Sequence, residues 1–224
     1  RFLLTLLFAR FPQLGQVKTR LAAAIGKKEA LQLYSNFILD ELQTLKEFKK
    51  RLWICYTPAD SGAAFADWLG RDLYYLKQEG SGLGQRMQSA FRAAFDAGYE
   101  QVHLLGSDIP DFPLQYLQES AQALQKGYDA SICPTKDGGY CLIGFNRHGY
   151  RSKVFENIAW SGPQVFSRTM NFLDNNRQKT YILPALEDID TFEDLKRFVK
   201  RNELSWKKLR SLELARRTIV SSGK

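Results

Sequence analysis

The chain has 224 residues, of which 44% are hydrophobic, and a net charge of +8. This length favours one large α/β domain over two small ones. No apolar run approaches the roughly 20 residues that a membrane-spanning helix needs, so we expect a protein with no membrane span. The apolar run at residues 2–9 is interpreted as a buried strand, not a signal peptide, because no small-residue cleavage site follows it.

Cysteine usage points to a reducing compartment. Cys55, Cys133 and Cys141 are odd in number, lie in apparent strands and lack the CxxC spacing of a zinc site. We therefore expect a cytoplasmic protein.

Strand-like and helix-like patterns alternate along the chain, which is typical of a mostly parallel sheet covered by helices. The predicted strands are residues 2–8, 51–56, 72–77, 101–105, 130–133 and 140–145. The predicted helices are about 28–46, 63–69, 85–97, 116–124 and 192–199. The expected fold is α/β, a Rossmann-like three-layer sandwich with a mostly parallel central sheet, formed as a single domain by residues 1–201.

Residues 202–224 are predicted to form a basic amphipathic C-terminal helix or tail. Ten Lys or Arg and only two Glu lie between residues 196 and 224, which accounts for the whole net charge. A basic tail can contact nucleic acid or acidic lipid. We favour an amphipathic helix that packs its apolar side on the body or a partner. The apolar residues of this pattern are Leu204, Trp206, Leu209, Leu212 and Leu214. We do not expect nucleic acid as a partner.

The loop after the first strand has the composition of a phosphate site. Gly15 permits close backbone approach, and Lys18, Thr19 and Arg20 follow it. Backbone N–H groups near a helix start, together with Lys and Arg, bind di- or triphosphates. The spacing of a P-loop is absent, and the alternative is that Lys18 and Arg20 are only solvated. Position after a buried first strand favours phosphate, because ligands of open α/β sheets bind beyond the carboxyl ends of strands.

A second loop at residues 80–86 reads Gly-Ser-Gly-Leu-Gly-Gln-Arg. It permits backbone contact with a flat ligand and ends at a helix N-terminus, although glycines of this kind can also form a simple turn. We nominate Gly82, Gly84 and Arg86 as nucleotide-binding residues.

A third loop releases Asp108 at the end of a hydrophobic strand, where it is well placed to hold Mg²⁺ or Mn²⁺. The alternative is a helix N-cap, but Asp111 is the better cap for the residues from Phe112 onward. A second carboxylate is expected from residues 188–191. Asp190 is either a metal ligand or the N-cap of helix 192–199. Side chains alternate along an extended segment, so Asp188 is expected on the same side as Asp190.

Five motifs in register carry a family resemblance. They are Ala9-Arg10-Phe11-Pro12 with Gly15 and Val17-Lys18-Thr19-Arg20-Leu21, Gly84-Gln85-Arg86-Met87, Gly106-Ser107-Asp108-Ile109-Pro110, Asp137-Gly138-Gly139-Tyr140 and Asp188-Ile189-Asp190-Thr191. From residue 2 to about 201, the sequence resembles a largely uncharacterised bacterial glycosyltransferase-like family. That family is similar to the 2-phospho-lactate guanylyltransferases and the molybdopterin-guanine-type nucleotidyltransferases.

The resemblance implies the nucleotide-diphospho-sugar transferase fold, GT-A, with a metal at Asp108. It also implies that the loop from Asp137 to Tyr140 faces the acceptor or the sugar. We assign the remaining motif residues accordingly. Nucleotide-binding candidates are Ala9, Arg10, Phe11 and Ser107, and acceptor-side candidates are Asp137, Gly138, Gly139, Tyr140, Trp160 and Ser161.

Three positions depart from the pattern of that family. Arg10 stands where the family usually has Lys, which keeps the charge but alters hydrogen-bond geometry. Gly162 follows Ser161 where Thr is expected, and Cys141 replaces a larger residue beside Tyr140. The shape of the acceptor side is therefore expected to differ from that of relatives.

The expected function is that of a metal-dependent transferase that binds a nucleotide sugar or nucleoside triphosphate and transfers a glycosyl group to an unknown acceptor, with Mg²⁺ or Mn²⁺ as the cofactor. Asp108 and Asp137 are the candidate catalytic residues, and the work would be mostly positioning and charge neutralisation. The first alternative is a nucleotidyltransferase that releases pyrophosphate. The second is a non-catalytic nucleotide-binding scaffold that uses its basic tail to hold a partner. The sequence does not determine whether the protein forms a homo-oligomer. His103 is predicted to be a core residue.

Overall fold

Strands and helices alternate throughout the computed structural model, which describes residues 2–223. The strands are β1 (Leu3–Arg10), β2 (Leu52–Thr57), β3 (Tyr74–Lys77), β4 (Gln101–Leu105), β5 (Ala130–Pro134), β6 (Tyr140–Asn146) and β7 (Thr180–Ile182). The helices are α1 (Thr19–Ile25), α2 (Lys27–Thr44), α3 (Gly62–Leu69), α4 (Leu83–Asp96), α5 (Leu114–Gln125), α6 (Val165–Asn175), α7 (Phe192–Arg201) and α8 (Arg210–Ser221). In residues 2–223, no helix combines the length and the apolar character needed to cross a bilayer.

All seven strands form one sheet in the order β3-β2-β1-β4-β6-β5-β7. β1 is parallel to β2 and β4, β2 to β3, and β5 to β7, whereas β6 is antiparallel to β4 and β5. Six strands therefore point in one direction, and their carboxyl ends share one edge. The predicted α/β sandwich with a mostly parallel sheet is confirmed.

The first strand lies in the centre of the sheet and is buried on both faces. Leu4, Leu6 and Phe8 pack into the layer that contains α4, while Leu7 and Ala9 pack into the layer that contains α2. Burial of each large apolar side chain contributes about 1.5–3 kcal/mol. The continuous apolar run in the sequence reflects this two-sided burial.

The structure corrects two predictions about the chain around the site. Residues 19–21 were expected to belong to a loop, but they begin α1, where Ala22, Ala23 and Ala24 supply high helix propensity. Asp111 is not the N-cap of α5, which begins at Leu114 after Pro113. The carboxylate of Asp111 instead binds the Arg201 guanidinium.

The C-terminal helix α8 packs against α2 and α7. Leu212 is 3% exposed and joins the core, while Leu209 and Leu214 pack at its border. The prediction that Leu204 and Trp206 also pack is wrong, because they are 97% and 89% exposed. They lie in the irregular segment between α7 and α8, which no element covers in the described chain.

Asp40 of α2 fixes the start of α8. Its carboxylate accepts hydrogen bonds from the backbone N–H groups of Arg210 and Ser211, at 2.9 Å each, and from the Ser211 hydroxyl. A carboxylate from another helix therefore satisfies the first donors of α8.

Candidate nucleotide and metal site

Loops from four parts of the chain meet at the edge where the parallel strands end. Residues 11–18 follow β1, residues 106–113 follow β4, and residues 183–191 follow β7. The turn at residues 135–139 reaches the same edge because β6 is antiparallel to its neighbours. Four of the five predicted motifs therefore converge at the carboxyl edge, which is the usual ligand site of open α/β sheets.

The first loop, together with the segments that carry Asp108 and Asp190, encloses a pocket of about 310 Å³, called the Lys18 pocket here. It is lined by Arg10, Gln16, Val17, Lys18, Thr19, Arg20, Tyr34, Asp108 and Asp190. The structure thus brings three predicted cationic side chains together with both predicted metal-ligating carboxylates.

Lys18 connects the two carboxylates. Its Nζ lies 2.6 Å from Oδ1 of Asp108 and 2.7 Å from Oδ1 of Asp190, and its side chain is 5% exposed. Burial alone would lower the pKa of Lys18, but the charges and hydrogen bonds of Asp108 and Asp190 raise it above its usual value. The ammonium is therefore held as a cation between the two acids.

The backbone of Lys18 adopts the left-handed conformation, with φ 47° and ψ 46°. Non-glycine residues reach this region at a cost of about 1 kcal/mol or more. The conformation occurs directly before Thr19, where α1 begins. The two ion pairs offset this cost and fix the direction of the side chain.

Asp190 is free for this role because a different residue caps α7. The Thr191 hydroxyl accepts the backbone N–H of Asp194, and the Asp194 carboxylate accepts the backbone N–H of Thr191, which forms a capping box. Of the two alternatives for Asp190, N-cap or site residue, the structure excludes the N-cap.

Two residues of α2, Tyr34 and Glu41, lie outside the sequence motifs and hydrogen-bond to the segments that form the site. The backbone N–H of Arg10 donates to the Tyr34 hydroxyl, which also shares a 3.0 Å hydrogen bond with the hydroxyl of Ser107. Burial, with a smaller contribution from the Asp108 charge, raises the pKa of Tyr34 to about 12. Tyr34 thus stays neutral and links the end of β1 to the loop after β4.

Glu41 is the second supporting residue. It is 1% exposed, and its Oε1 accepts the backbone N–H of Ile109 at 3.2 Å, one residue after Asp108. Burial first, and then the charge of Asp108, raise the pKa of Glu41 well above its usual range. A carboxylate on the apolar face of an amphipathic helix, beside Phe37 and Ile38, was the sequence signal for this residue.

The turn that contains Asp137 lies beside the segment that carries Asp188 and Asp190. Oδ1 of Asp137 accepts the Thr135 hydroxyl at 2.6 Å and the backbone N–H of Gly139 at 3.0 Å. Burial, followed by the charges of Asp137 and Asp190, raises the pKa of Asp188 to about 6. Asp137, Asp188 and Asp190 therefore form one acidic rim.

Gly138 is required by the packing of this turn. Its φ is +94°, and a Cβ at this position would overlap the carbonyl oxygen of Pro163. Its own carbonyl accepts the backbone N–H of Phe166 at 2.9 Å. The turn is thereby fixed to the segment that begins α6.

The second glycine-rich loop lines a different pocket, of about 660 Å³, called the Trp160 pocket here. Its lining includes Gly82, Gly84 and Trp160, and a Cβ on Gly84 would lie 2.9 Å from the indole nitrogen of Trp160. The Arg86 guanidinium donates back to the Gly80 carbonyl. The structure therefore joins this loop with the predicted acceptor-side Trp160, and not with Lys18.

The remaining candidates have mixed exposure. Ala9 is buried, Ser161 and the side chains of Thr19 and Arg20 are exposed, and Gly15 has φ +75°. Phe11 packs edge-on against Phe65, with ring centroids 5.1 Å apart. The Tyr140 hydroxyl is buried and burial raises its pKa, while the ring contacts Trp160. Phe11 and Tyr140 thus pack against neighbouring aromatic rings and line neither the Lys18 pocket nor the Trp160 pocket.

The donor set fits Mg²⁺ or Mn²⁺ in part. Asp108 and Asp190 have side chains that are 46% and 41% exposed, and each directs one oxygen to Lys18. Mg²⁺ commonly uses one or two carboxylates together with phosphate oxygens and water. Among residues 2–223 there is no group of three or more His, Cys, Asp or Glu arranged to hold a metal ion. Phosphate oxygens and water would therefore complete the coordination.

The outcome for the histidines agrees with the prediction. His103 is fully buried in β4, and its Nε2 shares a 2.8 Å hydrogen bond with the Ser120 hydroxyl. Burial lowers its pKa to about 3. It is a neutral core residue with no access to the site.

Comparisons with known proteins identify relatives of the same size. A protein from Desulfovibrio desulfuricans G20, provisionally named a nucleotide-diphospho-sugar transferase, has a structure with 38% sequence identity and a TM-score of 0.94. The match covers 99% of this chain and 96% of that chain. No curated protein matches.

More distant structures share the fold. A cytidylyltransferase from Leptospira borgpetersenii is 16% identical with a TM-score of 0.56, covering 99% of this chain and 94% of that chain. A 4-diphosphocytidyl-2C-methyl-D-erythritol synthase from Anaerococcus prevotii is 16% identical with a TM-score of 0.58, covering 92% and 99%.

The family model of uncharacterised proteins conserved in bacteria, DUF2064, matches residues 39–162, which include the third loop and the Asp137 turn. The chain therefore belongs to the DUF2064 family and has the nucleotide-diphospho-sugar transferase fold.

Proposed function

We propose that this protein is a metal-dependent transferase that holds the phosphates of a nucleotide-sugar donor in the Lys18 pocket and transfers the glycosyl group to an acceptor. The observation that carries the proposal is the meeting of Arg10, Lys18 and Arg20 with Asp108 and Asp190 in one pocket. Cations for phosphate and carboxylates for a divalent ion are the two requirements of chemistry at a phosphate group. The 38% identical relative named as a nucleotide-diphospho-sugar transferase supports the same class.

Asp108 and Asp190 are the residues that would hold Mg²⁺ or Mn²⁺. The ion would supply charge neutralisation at the phosphate oxygens. Arg10 and Arg20 would bind the outer phosphate oxygens, and the backbone N–H groups at the start of α1 would add donors. The Lys18 ammonium would hold the carboxylates of Asp108 and Asp190 in place through its two ion pairs. Asp137 would orient the acceptor or accept its proton from the turn beside Asp188.

A nucleotidyltransferase is the second candidate. It is favoured by the two cationic side chains that line the pocket without a carboxylate partner in the described part of the chain, Arg10 and Arg20, because a triphosphate carries more charge to neutralise than a diphosphate. The cytidylyltransferase neighbours support the shared fold only. In this reaction pyrophosphate would leave, whereas glycosyl transfer would release a nucleoside diphosphate.

Thermal unfolding with a panel of nucleoside triphosphates and nucleotide sugars, each with Mg²⁺, Mn²⁺ or EDTA, tests donor binding. A ligand at 100 times its Kd stabilises the folded state by about 2.7 kcal/mol. Asp108→Asn is expected to lose the metal-dependent part of the shift and to remain folded. Asp174→Asn, an exposed acid on α6, is the matched control and should keep the shift.

Products of the stabilising donor then identify the reaction. Release of nucleoside diphosphate supports glycosyl transfer, and release of pyrophosphate supports the second candidate. If the donor binds but no product forms with any candidate acceptor that is added, the result would instead support a nucleotide-binding scaffold. An unchanged metal-dependent shift in Asp108→Asn would refute the metal assignment, and the absence of any donor shift would refute the proposal.

A further inference from the structure

Two large apolar side chains are strongly exposed in the segment between α7 and α8, residues 203–209, called the Trp206 loop here. Leu204 is 97% exposed and Trp206 is 89% exposed. Other exposed hydrophobics occur singly, which is normal for a protein surface. Two neighbouring ones on a short loop indicate a surface that contacts something apolar.

Exposure alternates along this loop. Leu204, Trp206, Lys208 and Arg210 are exposed, while the residues between them are half-buried. Successive side chains of an extended segment point to opposite sides. One side of the segment therefore presents two apolar side chains followed by two cationic ones.

The surroundings of the loop are strongly basic. Residues 200–210 contain five Lys or Arg and one Glu. Arg201 is engaged by Asp111 and Glu187. Within residues 2–223, the ammonium groups of Lys200, Lys207 and Lys208 have no carboxylate partner. Their charge is available to an anionic partner.

A depression of about 470 Å³ adjoins the loop and, like the loop, combines apolar and cationic side chains. Its walls are mainly apolar, and its cationic lining residues are Lys46, Lys49, Lys208 and Arg210. Asp40 also lines it, but its oxygens bind the start of α8. Leu52, the first residue of β2, lies in the wall, so the depression is at the amino end of β2 and on the opposite edge from the Lys18 pocket.

We propose that the Trp206 loop and this depression form a docking surface for an anionic lipid membrane. Trp and Leu insert at the level of the headgroups, and the flanking Lys and Arg contact lipid phosphates. The exposed aliphatic side chain of Leu204 favours a lipid surface over nucleic acid, which would use the tryptophan for stacking but gain little from a leucine. Contact on this edge leaves the Lys18 pocket open to solution.

Sedimentation with vesicles tests the proposal on the full chain. Binding is expected to vesicles of phosphatidylglycerol mixed with phosphatidylcholine and not to phosphatidylcholine alone, and to weaken with salt. Replacing both exposed cations in Lys208→Ser/Arg210→Ser is expected to reduce the partition coefficient about thirtyfold, since each cation near an anionic surface contributes a factor of about five. Leu204→Ser/Trp206→Ser is expected to reduce it at least tenfold. Val220→Ser, which removes an exposed apolar side chain on α8, is the matched control and should bind normally.

Fluorescence reports whether the loop itself enters the interface. Trp206 is the exposed one of four tryptophans. Its emission should shift to the blue with anionic vesicles, and Trp206→Phe should bind but lose the shift. The proposal fails if binding does not distinguish the two vesicle types, if the loop variants bind as wild type, or if the same variants abolish binding to RNA or self-association without affecting vesicles. Thermal unfolding of each variant confirms that the comparison is between folded proteins.

Discussion

The buried histidine of β4 makes stability depend on pH in a calculable way. His103 is fully buried, its pKa is lowered to about 3 by desolvation, and an unfolded histidine has a pKa of about 6.5. A group with a depressed folded-state pKa contributes stability above the unfolded pKa, and that stability is lost as the pH falls. Between pH 7 and pH 5 the unfolded chain binds a proton that the folded chain excludes. The difference at pH 5 is about 2 kcal/mol.

Urea unfolding at pH 7 and at pH 5 measures this contribution. Other groups titrate in the same range, including Asp188, whose raised pKa acts in the opposite direction. His103→Gln removes the titrating ring and can keep the hydrogen bond to Ser120. The wild type should therefore lose about 2 kcal/mol more than this variant on acidification.

His148→Gln provides the control, because His148 is the second of the two histidines and is exposed. Its pH dependence should match that of the wild type. If His103→Gln also retains the wild-type slope, the imidazole accepts a proton in the folded state and the burial argument is wrong.

Substitutions at three further positions test contacts around the site and at the start of α8. Lys18→Ala should lower the free energy of unfolding by about 2 kcal/mol in urea, through loss of two charged hydrogen bonds, and Lys18→Gly should be about 1 kcal/mol less harmful because glycine accepts φ 47°. Equal losses in the two variants would mean that no backbone strain is relieved. Gly138→Ala should cost at least about 2 kcal/mol, because its Cβ overlaps Pro163, and a normal melting temperature would show that the turn can move. Asp40→Ala should leave the first donors of α8 unpaired, and protease should then cut near residue 209 faster than in the wild type.

Much of the fold could be predicted because the strongest sequence signals were local. The apolar run of β1 and the alternation of strands and helices indicated the sheet, and the position of motifs after strands indicated its functional edge. The roles of Asp111 and Asp190 could not be settled in the same way. Each has a plausible local use as a helix cap, and only tertiary contacts with Arg201 and Lys18 separate the alternatives.

Partners distant in sequence explain what the motifs missed. Tyr34 and Glu41 lie on α2, and each contacts a loop about 70 residues away. Their polar atoms support loop backbones from beneath, so no loop motif includes them. The exposure of Leu204 and Trp206 was likewise hidden, because an apolar pattern indicates burial without showing which positions the packed surface reaches.

The reversed direction of β6 has a consequence for how this architecture can diversify. A short hairpin, and not a long helical crossover, delivers Asp137 to the rim, so changes at residues 135–139 need not disturb the layers beneath. The hairpin is nevertheless tied to Pro163 and Phe166 by backbone contacts at Gly138. Variation in the two segments should therefore be coupled, and grafting this hairpin from a relative would require exchanging the two segments as one unit.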